Sequence, residues 1–560
     1  MPCAMCVRFE YDCHYHSAGR KRLALDPGPQ VSITDARAVS PSVAADSAPS
    51  SVTGTQLQSL EANSGAAFLR KLAMGIDPAN APRLQLFAWN LFNGSRKTAR
   101  VPCVRPIVEI ISLADMESLI TVYFNKVHPC YGFVDRALVE QHMQARWATA
   151  TPTQEPYDAV LCGIAALGYL FSCKNAVDEE QDLVETAKHI LEQSTTQPGI
   201  DAVTSWALRV AYLRITAPPH IAWMASCTLM HTLEASGIVS KHVTNVLVES
   251  TQEENASPEL VGRLWGVANH LNIWMSFDLG RSRVVLHDSP SAMPSPRPGD
   301  YIAELLSLLP YSESLDPHKN VDLLQLRRSL SLVLSGTHSI PPSVLAQSNL
   351  ALCICRRLRA LDSAISGDLL RKVLDLASRG IAAALAMLRE GSPWHHVANV
   401  PFQIVCILLA IDNAASLARL KDAIKALSEV ARVYDTEAAH EALSTACLLV
   451  LLHQRQKEQE AKELASVLAA YSPAFDERGN DGYGLGVDGA GGAGSGAAGA
   501  GAGAGGAAVG AAGGAGAATG APAWLENLTT DFPNLQDFDI DQFLCGSGQW
   551  DVPESWMYSI

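Results

Sequence analysis

Three cysteines near the N-terminus are the residues best suited to chemistry in this chain. Two residues separate Cys3 from Cys6, and six more separate Cys6 from Cys13. Zinc takes a tetrahedron of thiolate or imidazole ligands, and a CxxC turn supplies two of them. The spacing therefore indicates a zinc site with three thiolates. A fourth ligand from His14 or His16 would crowd Cys13, so an N-terminal segment without bound metal is the alternative.

Four basic side chains accompany these cysteines: Arg8, Arg20, Lys21 and Arg22. The whole chain carries 42 Lys and Arg against 57 Asp and Glu, a net charge of −15. This balance argues against a protein that coats nucleic acid through bulk positive charge. We expect any DNA binding to use the local basic group, whose contacts with phosphates would be sensitive to salt and neutral to base sequence.

The C-terminal residues 524–560 contain seven acidic and seven aromatic side chains and no Lys or Arg. Within them, Phe538, Ile540, Phe543 and Leu544 lie among acidic residues. Alternation of acidic and bulky apolar groups is typical of activation segments that fold into a coactivator groove on binding. An inert solvated tail, or a helix that docks back on the body of the protein, is the alternative.

The intervening chain predicts an all-α protein. Apolar residues recur at helical spacing, as in Leu183, Ala187, Ile190 and Leu191, whereas strand-like alternation is scarce. The last long helix is predicted to begin near residues 435–437. Composition divides the chain into a cysteine and basic segment (1–22), a mostly flexible linker (23–110), a helical body (111–472), a Gly/Ala-rich linker (473–523) and the acidic tail (524–560).

Composition and motifs also narrow the function classes. The chain opens without a secretory signal pattern and has no run of about 18 apolar residues, so we expect neither secretion nor a membrane span. Thirteen cysteines in such a chain are expected to be reduced. The GxGxxG match at 484–489 follows no strand, and His440-Glu441 lacks the second His of HExxH. An all-α enzyme or ligand-binding module is a third alternative, but no converging polar constellation is evident.

Several of these segments resemble fungal Zn2Cys6 transcription factors. The N-terminal PCxxC-x6-CxY resembles the second half of the zinc cluster. The order of YFNKVHPCYGFVD at 123–135, MASCTLMHTLEASG at 224–237, RLWG at 263–266 and WMSFDLGR at 274–281 resembles the middle homology region, closest to the xylanolytic-activator-like branch. Gly266 and Ser282 depart from the Trp and Pro of that pattern. The first half of the cluster is expected upstream of Met1, so the cluster in this sequence is truncated.

The resemblance implies a nuclear transcription factor that activates RNA polymerase II genes. In the family's cluster six cysteines hold two zinc ions; Cys3 would match the bridging fourth ligand, and Cys6 and Cys13 the fifth and sixth. The implied partners are DNA with GC-rich triplets, transcriptional coactivators and a second copy of the chain in a homodimer, with no membrane. The alternative is a regulator without its own DNA-binding cluster that acts through protein–protein interaction.

For most residues of the middle motifs we predict core packing rather than ligand contact. Leu229, Trp265, Trp274 and Phe277 are expected at helix–helix contacts. Gly280 is expected to end a helix in a left-handed conformation. His128, before Pro129, is expected to be a capping or turn residue.

Overall fold

Helices form the regular structure of this protein. The computed structural model describes residues 64–82, 90–149, 153–196, 198–238, 257–286, 294–316 and 322–476. Within these ranges there is no β-strand, only an isolated bridge between Arg297 and Asp300. The all-α prediction is confirmed.

The helices of the described residues are, in chain order, α1 (Gly65–Ile76), α2 (Ile107–Ile110), α3 (Leu113–Lys126), α4 (Arg136–Thr149), α5 (Asp158–Ser172), α6 (Asp178–Gln193), α7 (Ile200–Thr216), α8 (Pro219–Ala235), α9 (Pro258–Leu279), α10 (Ile302–Leu306), α11 (Leu309–Ser312), α12 (Leu323–Ser335), α13 (Pro341–Ala360), α14 (Gly367–Arg389), α15 (His396–Ile411), α16 (Ala414–Leu417), α17 (Leu420–Tyr434) and α18 (Glu437–Asp476). Single turns of 3-10 helix lie at Ser194–Thr196 and Glu313–Leu315.

Two groups of packed helices share one hydrophobic core. The first group contains α3 and α5 to α9, and the second contains α12 to α15, α17 and α18. Helix α5 is apolar around almost its whole circumference and is buried by α3, α6 and α7. Helix α15 has the same character and lies among α13, α14, α17 and α18. These two central helices explain why the body is one unit rather than a row of helical pairs.

The N-terminal part of the described chain is attached to this body. The side chain of Ser64 caps α1 by accepting from the backbone N–H of Ala67 at 3.2 Å, and α1 packs on α13, α15 and α18. Arg96 pairs with Glu180 of α6 over 2.7 Å, and both side chains are buried. The helical body therefore begins before residue 111, inside the range for which the sequence predicts mostly flexible linker.

Two predicted helix ends are confirmed. Gly280 follows α9 with φ 62° and ψ 38°, the left-handed conformation that glycine adopts without strain. The long helix α18 begins at Glu437 after Asp435, as its sequence pattern predicts. Beyond Lys457 this helix leaves the body, and residues 458–470 are exposed. Among the described helices, none combines the length and the apolar composition needed to cross a membrane.

Candidate regulatory site in the helical body

The site residues proposed from the sequence lie outside the described residues. The N-terminal set falls within residues 1–63 and the C-terminal set within residues 477–560. They are Cys3, Cys6, Cys13, Arg8, Arg20, Lys21 and Arg22 in the first set, and Phe538, Ile540, Phe543 and Leu544 in the second. The zinc ligands, DNA contacts and coactivator anchors stay predictions. In the described part of the chain, no three His, Cys, Asp or Glu side chains are grouped to hold a metal ion.

Two of the middle motifs, 123–135 and 263–266, meet at Arg263 of α9. Its guanidinium is buried and donates to the carbonyl oxygens of Gly132 at 3.2 Å and Ser295 at 2.7 Å, and it pairs with the Asp300 carboxylate. The backbone N–H of Tyr301 donates to the Pro129 carbonyl at 2.7 Å. Segments more than a hundred residues apart in sequence thus meet around one arginine, which gives the motifs a structural role.

The apolar residues of these motifs lie in the core, as predicted. Leu229 and Trp274 are completely buried, Phe277 is nearly so, and Trp265 is partly buried against the same cluster. His128 lies in the turn after α3 with its ring 4.9 Å from that of Phe124, so the prediction of a turn residue is also confirmed.

A chain of polar side chains crosses the middle of the body. Arg214 of α7 donates to Asp278 of α9 at 3.1 Å. The other oxygen of Asp278 accepts from Asn349 Nδ2 of α13 at 3.0 Å, and Cys353 Sγ lies 3.8 Å from it. All four side chains are buried. Because unpaired polar groups are costly in an apolar core, such a network ties the helices to one specific arrangement.

The network continues into α15. Gln403 Nε2 donates to Asn349 Oδ1 at 2.9 Å and also to Asn399 Oδ1. Gln403 Oε1 accepts from Arg356 of α13, whose other terminal nitrogen lies 3.0 Å from Cys353 Sγ. Polar groups from α7, α9, α13 and α15 are therefore linked without a break.

The charges of this network do not balance within the described residues. Arg214 and Arg356 are both buried cations, whereas Asp278 is the one carboxylate that the described hydrogen bonds bring into the network. Arg356 itself donates to the amide oxygen of Gln403 and lies against the thiol of Cys353. Buried charges are ordinarily paired, so the excess positive charge is a chemical feature that a core alone does not require.

A small cavity adjoins the Arg214 end of the network. It is lined on the polar side by Asn90, Arg214, Asp278, His395, His396 and Asn399, and on the apolar side by Pro219, Ala222, Met275 and Leu279. The cavity has room for about one water molecule.

The histidines beside this cavity are neutral at neutral pH. Burial lowers the pKa of His395 and His396 well below the usual 6.5, and the positive charge of Arg214 acts in the same direction. His270, whose ring lies 4.1 Å from that of Trp274, has its pKa lowered by the same two causes. The rings can therefore donate or accept a hydrogen bond without adding charge.

Sequence reasoning missed this network. The available signal was the isolation of polar residues inside apolar helices: Arg214 within VAYLRIT, Asp278 within WMSFDLG and Gln403 within PFQIVC. A buried Arg or Asp is nearly always paired, so a polar partner was to be expected for each of these residues. The sequence could not indicate which residue is the partner, because the partners are 47 to 71 positions apart.

The chain is similar to several known fungal proteins over most of its length. The chain is 48% identical to protein RDR1 of Gibberella zeae over 481 residues, which are 84% of this chain and 86% of that protein. It is 38% identical to transcription factor kojR of Aspergillus oryzae, over 86% of this chain and 85% of that protein. Protein RDR1 of Saccharomyces cerevisiae is 30% identical, over 83% of this chain and 88% of that protein. No family model matches the sequence.

Proposed function

Because the chain belongs to the same family as the fungal transcription factor kojR, we propose that it regulates RNA polymerase II transcription in the nucleus through zinc-dependent binding to DNA. The observation that carries this proposal is similarity to kojR and RDR1 over more than four fifths of each chain. The chain is a fungal transcriptional regulator by this relationship, and the names of its relatives favour a regulator over an enzyme. The dependence on zinc, the contacts with DNA and the activating role of the acidic tail belong to the proposal.

In this proposal Cys3, Cys6 and Cys13 supply thiolates to zinc. Thiolates are ligands that zinc favours, and their CxxC spacing suits half of a cluster in which six cysteines hold two ions. Bound zinc would fold the N-terminal segment. Arg8 and the basic run 20–22 would then contact phosphates, while the folded cluster reads GC-rich triplets in the major groove.

Zinc dependence is tested by DNA binding of the purified full chain. With a complete six-cysteine cluster we expect selective binding to duplexes with GC-rich triplets, measured by fluorescence anisotropy, and loss of that selectivity after chelation. The three cysteines of the sequence as written should give little or no selectivity. Cys6→Ser should have the same effect as chelation. Cys103→Ser is the matched control, because Cys103 is an exposed free cysteine far from the cluster in sequence. Selective binding that survives both chelation and Cys6→Ser would contradict the proposal.

The acidic tail is proposed to recruit coactivators through Phe538, Ile540, Phe543 and Leu544. Acidic neighbours keep such apolar anchors soluble until they enter a groove on the partner. Residues 524–560 fused to an unrelated DNA-binding domain should activate a reporter gene. Phe538→Ala with Phe543→Ala should abolish activation, whereas Trp550→Ala, outside the anchor group, should retain most of it.

A second candidate function is regulation without a DNA-binding cluster of its own, through protein–protein interaction. The net charge of −15, which opposes binding to nucleic acid through bulk charge, favours it. It predicts no sequence-selective DNA binding by the full chain at any zinc concentration, combined with an effect on transcription when the chain is tethered to a promoter. The anisotropy and reporter measurements together separate the two candidates.

A further inference from the structure

Four serines in the described part of the chain stand directly before a proline, the sequence that proline-directed protein kinases recognise: Ser257, Ser295, Ser392 and Ser472. Such a kinase needs an exposed serine on a chain that is not helical. Ser392 is 1% exposed, and Ser472 lies within α18. Ser257 is the N-cap of α9, so the residues that follow it are helical. Of the four, Ser295 alone is exposed and lies outside a helix and its cap.

The chain around Ser295 is anchored, yet it presents this serine at the surface. Arg263 donates to the Ser295 carbonyl oxygen at 2.7 Å, and the preceding Pro294 is buried. Residues 295–299 are all exposed, and none of them is helical. A kinase can therefore reach the serine, the proline and the arginine after it without unfolding a helix.

The hydroxyl of Ser295 lies beside two guanidinium groups that share one carboxylate. Ser295 Oγ donates to Glu259 Oε1 at 2.9 Å, and Arg263 Nε donates to the same oxygen at 3.2 Å. Glu259 Oε2 pairs with Arg297 Nη2 over 2.9 Å. The hydrogen bonds from Arg297 and Ser295 lower the pKa of Glu259 to about 2. This position therefore favours a negative charge.

A phosphate on Ser295 would compete with Glu259 for these partners. A phosphoserine carries a charge of about −1.5 to −2 and three acceptor oxygens, and arginine is the side chain best suited to bind it. Glu259 would repel the new charge at close range. The Glu259 side chain is 34% exposed and that of Arg297 is 53% exposed, so the carboxylate can turn to water while the guanidinium turns to the phosphate.

We propose that Ser295 is a phosphorylation site for a proline-directed protein kinase, and that its phosphate replaces Glu259 as the partner of Arg297. Ser295 Oγ attacks the γ-phosphorus of ATP, and the bond from that phosphorus to the bridging oxygen of the β-phosphate breaks. ADP leaves with the electron pair, and the hydroxyl proton passes to a carboxylate base of the kinase.

The position of the site gives the modification a route into the helical body. Glu259 and Arg263 pair one turn apart on α9, and Arg263 also donates to the Gly132 carbonyl oxygen. The phosphate thus changes the charge beside the contact between α9 and residues 123–135. This inference concerns the helical body and does not depend on the proposed DNA binding.

The first test is phosphorylation of the purified full chain by a mitogen-activated and by a cyclin-dependent protein kinase with ATP. Mass spectrometry of proteolytic fragments assigns the phosphate to individual serines. We expect phosphate on Ser295 and none on Ser257 or Ser392, which are negative controls within the same protein. A synthetic peptide of residues 290–300 shows whether the kinases accept the sequence. An unmodified Ser295 in the folded chain overturns the proposal, whether or not the peptide is modified.

Variants show whether recognition is directed by the proline. Ser295→Ala should remove this phosphorylated fragment. Pro296→Ala keeps the hydroxyl and should slow its modification at least tenfold. Ser257→Ala, at the exposed N-cap of α9, should leave the rate at Ser295 unchanged. A rate at Ser295 that does not depend on Pro296 would overturn recognition by this class of kinase.

Phosphorus NMR tests the contact with Arg297. The second pKa of phosphoserine is about 6, and a neighbouring guanidinium lowers it by favouring the dianion. Arg297→Gln should therefore raise the pKa of the Ser295 phosphate by about 0.5–1 relative to the phosphorylated wild type. Arg371→Gln, at an exposed position of α14, is the matched control and should leave it unchanged. Equal pKa values in all three proteins would overturn the exchange of partners.

Discussion

Arg214 on α7 donates a hydrogen bond to Asp278 on α9 over 3.1 Å in the interior of the helical body. The two side chains are 6% and 7% exposed. Moving two such charges out of water is costly, and their mutual attraction offsets that cost only when the remaining hydrogen-bonding groups are satisfied. Asn349 provides such a bond to Asp278. The pair therefore specifies how α7, α9 and α13 fit together.

The first prediction concerns this pair. Arg214→Met leaves a buried carboxylate without its cation and should lower the free energy of unfolding by about 3–5 kcal/mol. Asp278→Asn leaves the cation unpaired and should also be destabilising. The double variant should be more stable than the sum of the two losses predicts, because neither charge is left alone. Urea unfolding followed by circular dichroism measures all three, and simple additivity would contradict the coupling.

The second prediction concerns the attachment of the N-terminal segment. Arg96→Met removes the cation that faces the fully buried Glu180 side chain, which would keep only Tyr212 Oη at 2.8 Å as a partner. We expect a loss of about 3–5 kcal/mol in unfolding free energy and faster proteolysis of residues 90–106. Arg371→Met is the control: its partner Asp368 is exposed, so the stability should not change measurably. Equal behaviour of the two variants would argue that this segment is not part of the body.

The third prediction is a pH dependence. Burial lowers the pKa values of His270, His395 and His396 well below 6.5 in the folded protein. The unfolded chain, with ordinary values, therefore binds more protons below pH 6.5, and folding stability is lost as pH falls. Each ring lowers the free energy of unfolding by up to about 1.4 kcal/mol for each pH unit below 6.5. Urea unfolding from pH 7.5 to 5 should show this slope.

Variants test whether the pH dependence of the unfolding free energy comes from these three histidine rings. His395→Gln should make it shallower, because one of the groups that take up protons on unfolding is gone. His220→Gln, at an exposed position, should leave the slope as it is. A stability that does not change between pH 6.5 and 5 would contradict neutral buried histidines.

The fourth prediction compares two glycines within helices. A Cβ at Gly168 of α5 would lie 2.8 Å from the backbone oxygen of Leu119 in α3, closer than real contacts allow. Gly168→Ala should therefore push α3 and α5 apart and cost about 1–3 kcal/mol. Gly262 in α9 has open space at the same position, so Gly262→Ala should be neutral or stabilising through helix propensity. Thermal unfolding distinguishes these opposite outcomes.

The sequence by itself determined the fold class and several local features. Helical periodicity and the scarcity of alternation predicted the all-α body, because the period of apolar residues is set by local backbone geometry. The burial of Leu229 and Trp274 and the left-handed end at Gly280 followed from side-chain type and from glycine's conformational freedom. These properties depend on neighbours within about one or two helical turns.

Only the tertiary structure decided which distant polar groups meet. Arg214 and Asp278 are 64 positions apart, and Asn349 lies another 71 beyond Asp278. Likewise, the pairing of Arg96 with Glu180 was needed to place the N-terminal segment on the body. The pairing of buried charges depends on helix packing over long sequence separations, which one sequence does not encode in any local pattern. The buried polar network and the small cavity beside it were visible only once those helices were brought together.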